Sequence, residues 1–239
     1  MYKKFDILKA TKQENVVRKR YVVNLCYIGV PMGLQYSITA IGSTILQAAV
    51  NGLGSSYVAA MTAGSKMFNF TSCPFDALGS TMATYGGQNV GAGKIDRLGK
   101  GIRAAMIIGA VYSVVALVVL FFTTDYIALL FVDAAEVEII RLTRRFIIAS
   151  ALFYIPLTGV NVYRFCIQGM GYSVFAILAG VFEMLARTLV AIFLIPVIGF
   201  NGACLANPAA WIAADIFLIP AFMHCCNKLK IRHGMKKNV

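Results

Sequence analysis

The chain has 239 residues, of which 59% are hydrophobic and 13% charged, with a formal net charge of +12. A soluble domain carries about 25% charged residues, so this balance excludes an ordinary water-soluble fold. The basic excess does not point to nucleic acid either, because the lysines and arginines gather at the ends of apolar segments, where anionic headgroups and cytoplasmic orientation account for them.

Residues 1–20 set Lys3, Lys4, Lys9, Lys12, Arg18, Lys19 and Arg20 against Asp6 and Glu14. They read as a cytoplasmic basic arm or linker, partly an amphipathic helix. No short apolar core precedes a small-residue site, so no cleaved signal peptide is expected. From Tyr21 to Ser65 no charged residue or histidine occurs, nor from Ala104 to Thr124. Each run exceeds the roughly 20 residues that cross a bilayer core, which predicts a multi-span membrane protein.

The first span is expected over 24–50, with Gly29 and Gly33 as a small-xxx-small pair for close helix approach. An uncharged turn at 51–56 suits the outer side. The second span, 57–90, is too long to stand perpendicular, so it must tilt, project, or kink at Pro74. A glycine-rich and then basic junction follows, Gly86 to Lys100. Its glycines allow a helix end and a tight turn, and Lys94, Arg97, Lys100 and Arg103 place that turn in the cytoplasm.

The third span returns outward to 124. Residues 123–140, with Asp125, Asp133, Glu136 and Glu138, predict a short helix at the outer interface. Arg141, Arg144 and Arg145 then share one helical face on the side where basic residues are unusual, with Glu138 placed to pair with Arg141. The fourth span is expected over 145–168, broken by Pro156, the fifth over 173–197 and the sixth over 202–223, with a short turn at 199–202 between the last two. Lys228, Lys230, Arg232, Lys236 and Lys237 mark a basic cytoplasmic tail. The domain reading is therefore an arm over 1–20, a six-span lobe over 21–224 and a tail over 225–239, with both termini inside.

Inside the spans sit Lys66, Asp76, Arg164, Glu183, Arg187 and Asp215, each costing roughly 2.5–3.5 kcal/mol at a helix centre on insertion scales. Glu183 and Arg187 lie one turn apart with the acid first, the better order for pairing; they form a structural ion pair or a proton- or cation-linked switch. Arg164 is near the cytoplasmic end and is expected to snorkel. Asp215 lies at mid-membrane with no basic residue near it in sequence. Lys66 and Asp76 are too far apart to pair on a straight helix. Gln35, Tyr36 and Gln47 add polar groups to the first span. Tyr36, Phe68, Phe70, Phe75 and Tyr163 are candidates for lining a cavity or for packing.

No HExxH or GxSxG occurs, and the glycines around Gly91–Lys94 fail the P-loop pattern at Gln88 and Ile95. The six cysteines match no zinc or redox spacing and read as small buried hydrophobes. An enzyme is not expected, and neither a metal nor an organic cofactor.

Several motifs, taken together and in order, resemble one family. They are Gly29-Val30-Pro31-Met32-Gly33-Leu34-Gln35, Val50-Asn51-Gly52-Leu53-Gly54, Gly87-Gln88-Asn89-Val90-Gly91-Ala92-Gly93 with Asp96-Arg97, Leu130-Phe131-Val132-Asp133, Gln168-Gly169-Met170-Gly171, the Glu183 and Arg187 pair, and Gly199-Phe200-Asn201-Gly202-Ala203 before Trp211. The chain resembles the C-terminal half of a multidrug and toxic compound extrusion (MATE) transporter.

The resemblance implies an all-α membrane protein, a six-transmembrane-helix bundle forming one lobe of a twelve-helix transporter. It implies export of drugs or cationic, amphipathic metabolites in exchange for protons or sodium, with no cofactor beyond the coupling ion. A second six-helix lobe would be the partner, as the missing half, a separate chain or a second copy, with residues 1–20 as an inter-lobe linker. Bilayer lipid and a small-molecule substrate are the other partners, in the plasma membrane of a bacterium. The N-terminal lobe's acid is absent here, which leaves Glu183, Arg187 and Asp215 as coupling candidates. The alternatives are a lipid-linked precursor flippase of the same broad superfamily, kept open by Lys66, Arg164 and Arg187, and a non-transporting truncated subunit.

Overall fold

Long apolar segments whose backbone groups must be satisfied without water become helices. The computed structural model describes residues 18–232 and Gly234, and their regular structure is helical throughout. The helices are α1 (Lys19–Asn51), α2 (Ser55–Gly91), α3 (Asp96–Ala128), α4 (Val137–Ala151), α5 (Tyr154–Gly169), α6 (Ser173–Leu189), α7 (Ile195–Ile198) and α8 (Phe200–Arg232). A π-helical turn, Val190–Leu194, joins α6 to α7. With α4 and α5 read as one bent rod and α6 to α7 as another, these make the six expected rods.

By length and hydropathy α3, α6 through α7, and α8 can each cross a membrane, and the α4–α5 pair, bent by 52°, is a fourth such unit. The other two, α1 and α2, have the length, at 33 and 37 residues. Their hydropathy is lowered by polar stripes, and those stripes build the site described below. Neither Pro31 nor Pro74 interrupts its helix, so the length of α2, roughly 55 Å at 1.5 Å per residue, is taken up without a break.

The break in the fourth span falls at Leu152–Phe153, ahead of Pro156 rather than at it. A proline has no N–H for the carbonyl four residues before it, and its ring clashes there; for Pro156 that residue is Leu152. The π-turn has a similar origin, because Pro196 disrupts the ladder at Ile192. Gly199, at φ +57°, then closes the turn into α8. The backbone of α8 approaches so closely that a Cβ on Gly202 would lie 3.0 Å from the nitrogen of Ile195.

The short outer helix expected over 123–140 does not exist: α3 continues to Ala128 and a turn leads to α4. One of its acids, Asp125, ties two helices together, while Asp133 accepts from the nearby backbone N–H of Ala135. Asp125 pairs with Arg144 at 2.5 Å, and Arg144 also bonds the carbonyl of Phe121. Arg145 bonds Asn201 at 3.1 Å. The local Glu138–Arg141 pair is not formed; of the α4 arginines, Arg144 reaches α3 and Arg145 reaches α8. In the basic tail, α8 carries helix through Arg232, and Lys230 pairs with Asp96 at 2.7 Å across the basic end. Residues 1–17 of the expected arm and 235–239 of the tail lie outside the described residues.

Gly29 and Gly33 meet nothing within 4 Å, so they do not seat a helix of this chain. The close contacts of α1 are made further along, by Gly42 on the backbone of Met184 and by Gln35 on Gly180, both on α6. Cys166, Cys204 and Cys225 are buried as expected, whereas Cys26 and Cys73 are exposed.

The core lies where α2, α3, α5 and α8 meet, around fully buried Tyr154. Its ring packs edge-on to Phe75 at 5.2 Å, and its hydroxyl shares a 2.7 Å hydrogen bond with Thr71. Tyr154→Phe is expected to lower stability by about 0.5–1.5 kcal/mol, read as a lower unfolding temperature in detergent. Adding Thr71→Ala should then cost less than it does alone.

Candidate functional site

Residues spaced three or four apart share a helix face. On α2, Phe68, Asn69, Ser72 and Asp76 form such a face, and on α5 Leu157, Val160, Asn161, Arg164 and Phe165 form another. These two faces, with Gln35, Tyr36 and Thr39 of α1, Glu183 of α6 and Trp211 of α8, line one open cleft of about 330 Å³. Five helices contribute to it, and its walls mix apolar surface with carboxylate, guanidinium, amide and hydroxyl groups. A concave, partly apolar space with a few convergent polar groups is the usual form of a small-molecule site.

The cleft floor is a buried charge cluster. Glu183 accepts from Arg164 through one carboxylate oxygen and from Arg187 at 3.5 Å through the other. Arg187 also donates to Asn207 on α8 at 3.3 Å. The three charged side chains are 3%, 9% and 7% exposed, for Glu183, Arg164 and Arg187. Arg164 therefore does not snorkel: the guanidinium turns inward, where Glu183 offers it a carboxylate. Glu183 thus ties α6 to α5 as well as pairing along its own helix.

Of the sequence-derived candidates, the cleft collects Gln35, Tyr36, Asp76, Arg164 and Glu183. Arg187 stands behind Glu183. Asp215 is not among the residues that line the cleft; its carboxylate lies against Gly159, where an added Cβ would sit only 2.6 Å away. One of its buried oxygens has no hydrogen bond, and neither does the buried Nε of Arg164. Lys66 is elsewhere, exposed on the α2–α3 side with its ammonium 5.6 Å from the Phe131 ring centre. Among the aromatic candidates Phe68 and Tyr36 line the cleft. Phe75 is core, Phe70 is 83% exposed outside the cleft, and Tyr163 packs on Phe222. Asp76 is exposed at the cleft and has no ion pair among the described residues. Asn69, Ser72 and Asn161 were missed; their spacing from Asp76 and Arg164 is the signal that finds them.

The glycine motifs hold this geometry. Gly86 and Gly87 of α2 press against Cys166 and Gly169 of α5, and Gly169 lies on the carbonyl of Ala83. Gln168 donates to Gln35 at 2.5 Å, which joins the motif of α5 to that of α1. Gly93 and Gly171 take positive φ in the turns that follow.

The sequence matches the MatE family over residues 31–193. The chain belongs to the MatE family. No curated protein sequence matches it, but the fold is shared with solved structures of that family. A MATE crystallised in complex with MaL6 superimposes with a TM-score of 0.84 at 15% identity, over 94% of this chain and 51% of that one. The Vibrio cholerae MATE transporter VcmN in its bent form gives 0.80 at 16%, over 94% and 51%. A MOP superfamily transporter from Pyrococcus furiosus gives 0.72 at 17%, over 81% and 43%. The chain thus spans about half the length of the MATE structures it matches.

Proposed function

We propose that this chain is the C-terminal lobe of a secondary antiporter that exports drugs or cationic, amphipathic metabolites in exchange for protons or sodium. Its basic ends face the cytoplasm of a bacterial plasma membrane, and a second six-helix lobe, joined through residues 1–20, completes the pathway. The observation that carries the reading is the polar cleft. It is open, it is lined from five helices, and it presents Asp76, which has no ion pair among the described residues, in a wall shared with Tyr36, Phe68 and Trp211. An aromatic wall with one free carboxylate suits an amphipathic cation, and an open half-site suits alternating access between two lobes.

The Glu183 cluster acts in this reading as the fixed floor of the cleft, and Asp76 as the group that meets the cation. The test is Asp76→Asn in the complete two-lobe protein, with efflux of a lipophilic dye cation followed in cells. Export should fall roughly tenfold, the equivalent of one charge-assisted contact, while surface expression matches wild type. Wild-type efflux at normal expression would rule out the cation-export reading.

A further inference from the structure

At the bundle's basic end a second groove lies on the side of α5 turned away from the cleft. Its volume is about 400 Å³, and its walls are α3 and α8, with Tyr163 of α5 as floor. Both walls pack firmly on α5, whereas α3 and α8 have little backbone contact with each other and are tied by the Lys230–Asp96 ion pair beyond the groove's lining, so the gap between them stays open. The α3 wall presents Gly99, Ile102, Arg103 and Met106, and the α8 wall Ile219, Phe222 and Met223.

Arg103 is exposed and has no ion pair or hydrogen bond among the described residues. It is also the last charge before the run from Ala104 to Thr124. That run spans about 30 Å as helix, the thickness of the hydrocarbon core. Arg103 therefore stands at the depth of a phosphate group, and the apolar part of the groove leads from it into the hydrocarbon. One turn before Arg103, Gly99 leaves the groove open, since a Cβ there would meet nothing within 4 Å.

We propose that this groove binds one anionic phospholipid, with its phosphate on Arg103 and an acyl chain along Met106, Ile219 and Met223. Charge complementarity selects the occupant. The chain's own residues 235–239 carry Lys236 and Lys237 and no acidic side chain, so their side chains offer the guanidinium no counter-charge. A zwitterionic lipid would fill the apolar part but bring no net charge to the guanidinium. A groove of this kind between membrane helices at a basic end is suited to an acidic headgroup.

The test is native mass spectrometry of the full chain released from detergent, after exchange into phosphatidylglycerol or phosphatidylcholine of the same acyl composition. Wild type should keep one phosphatidylglycerol at an activation energy that strips phosphatidylcholine. Arg103→Gln should lower that retention roughly fivefold. Gly99→Leu should do the same with the charge intact, because it adds bulk at a groove-lining position where a Cβ has open space, and an unchanged unfolding temperature would confirm that the bundle is whole. Lys94→Gln, which removes an exposed cation from the preceding turn, should leave retention as in wild type. Equal retention of the two lipids, equal loss from Lys94→Gln and Arg103→Gln, or a dimer without lipid would each overturn the proposal.

Discussion

Glu183→Gln is expected to destabilise the bundle by about 3–5 kcal/mol, the usual cost of removing one partner from a buried ion pair. Here a single carboxylate serves two guanidinium groups, Arg164 and Arg187, and all three side chains are less than 10% exposed. Among the described residues, Glu183 is the carboxylate that both guanidinium groups pair with. Removing Glu183 leaves two nearly buried arginines without their carboxylate. The variant should show a lower unfolding temperature in detergent and a smaller monodisperse fraction by fluorescence-detected chromatography. Glu183→Gln with Arg164→Gln should recover part of the loss, because the double change removes equal and opposite charge. Coupling between contacting residues is typically 0.5–3 kcal/mol. An unchanged unfolding temperature in Glu183→Gln would mean that water reaches the cluster and compensates the arginines. Lost transport in Glu183→Gln must therefore be read beside its stability, whereas Asp76 can be neutralised without leaving a buried charge alone.

The span pattern was legible because a bilayer penalises charge so strongly that apolar runs and their basic ends mark the helices directly. The glycine motifs were legible as contacts but not as partners. Gly86, Gly87 and Gly169 do seat one helix on another, whereas Gly29 and Gly33, equally suited by spacing, face open space in this chain. Spacing within one helix says which residues share a face and nothing about what that face meets.

The charge cluster shows the same limit. Glu183 and Arg187 could be paired from an interval of one helical turn. Arg164, nineteen positions away across the turn at Gly171, could not, and its position near a helix end pointed to snorkelling instead. The break at Leu152 was in principle readable, since a proline disturbs the carbonyl four residues before it rather than its own position. The outer helix over 123–140 was misread because its acids looked like a solvated surface, when Asp125 in fact holds Arg144 of the next helix.

Gly169→Leu is the second large effect expected, a loss of about 3 kcal/mol through overpacking. The contact of Gly169 is with backbone, the carbonyl carbon and oxygen of Ala83, and not with the end of a flexible side chain. A side chain there has no rotamer that relieves the clash, so α5 must move off α2. That movement would be felt in the cleft, because α2 carries Asn69, Ser72 and Asp76 and α5 carries Asn161 and Arg164. It would also pull on the Gln168–Gln35 hydrogen bond, which ties α1 into the same wall. Gly91→Leu is the matched control, since a Cβ at Gly91 meets nothing within 4 Å and its φ is not positive. If unfolding temperatures in detergent fall for Gly169→Leu and hold for Gly91→Leu, the motif glycines divide into those that pack helices and those that shape turns. Equal tolerance of both would mean that α2 and α5 separate at this end without cost, and the cleft would then need another support.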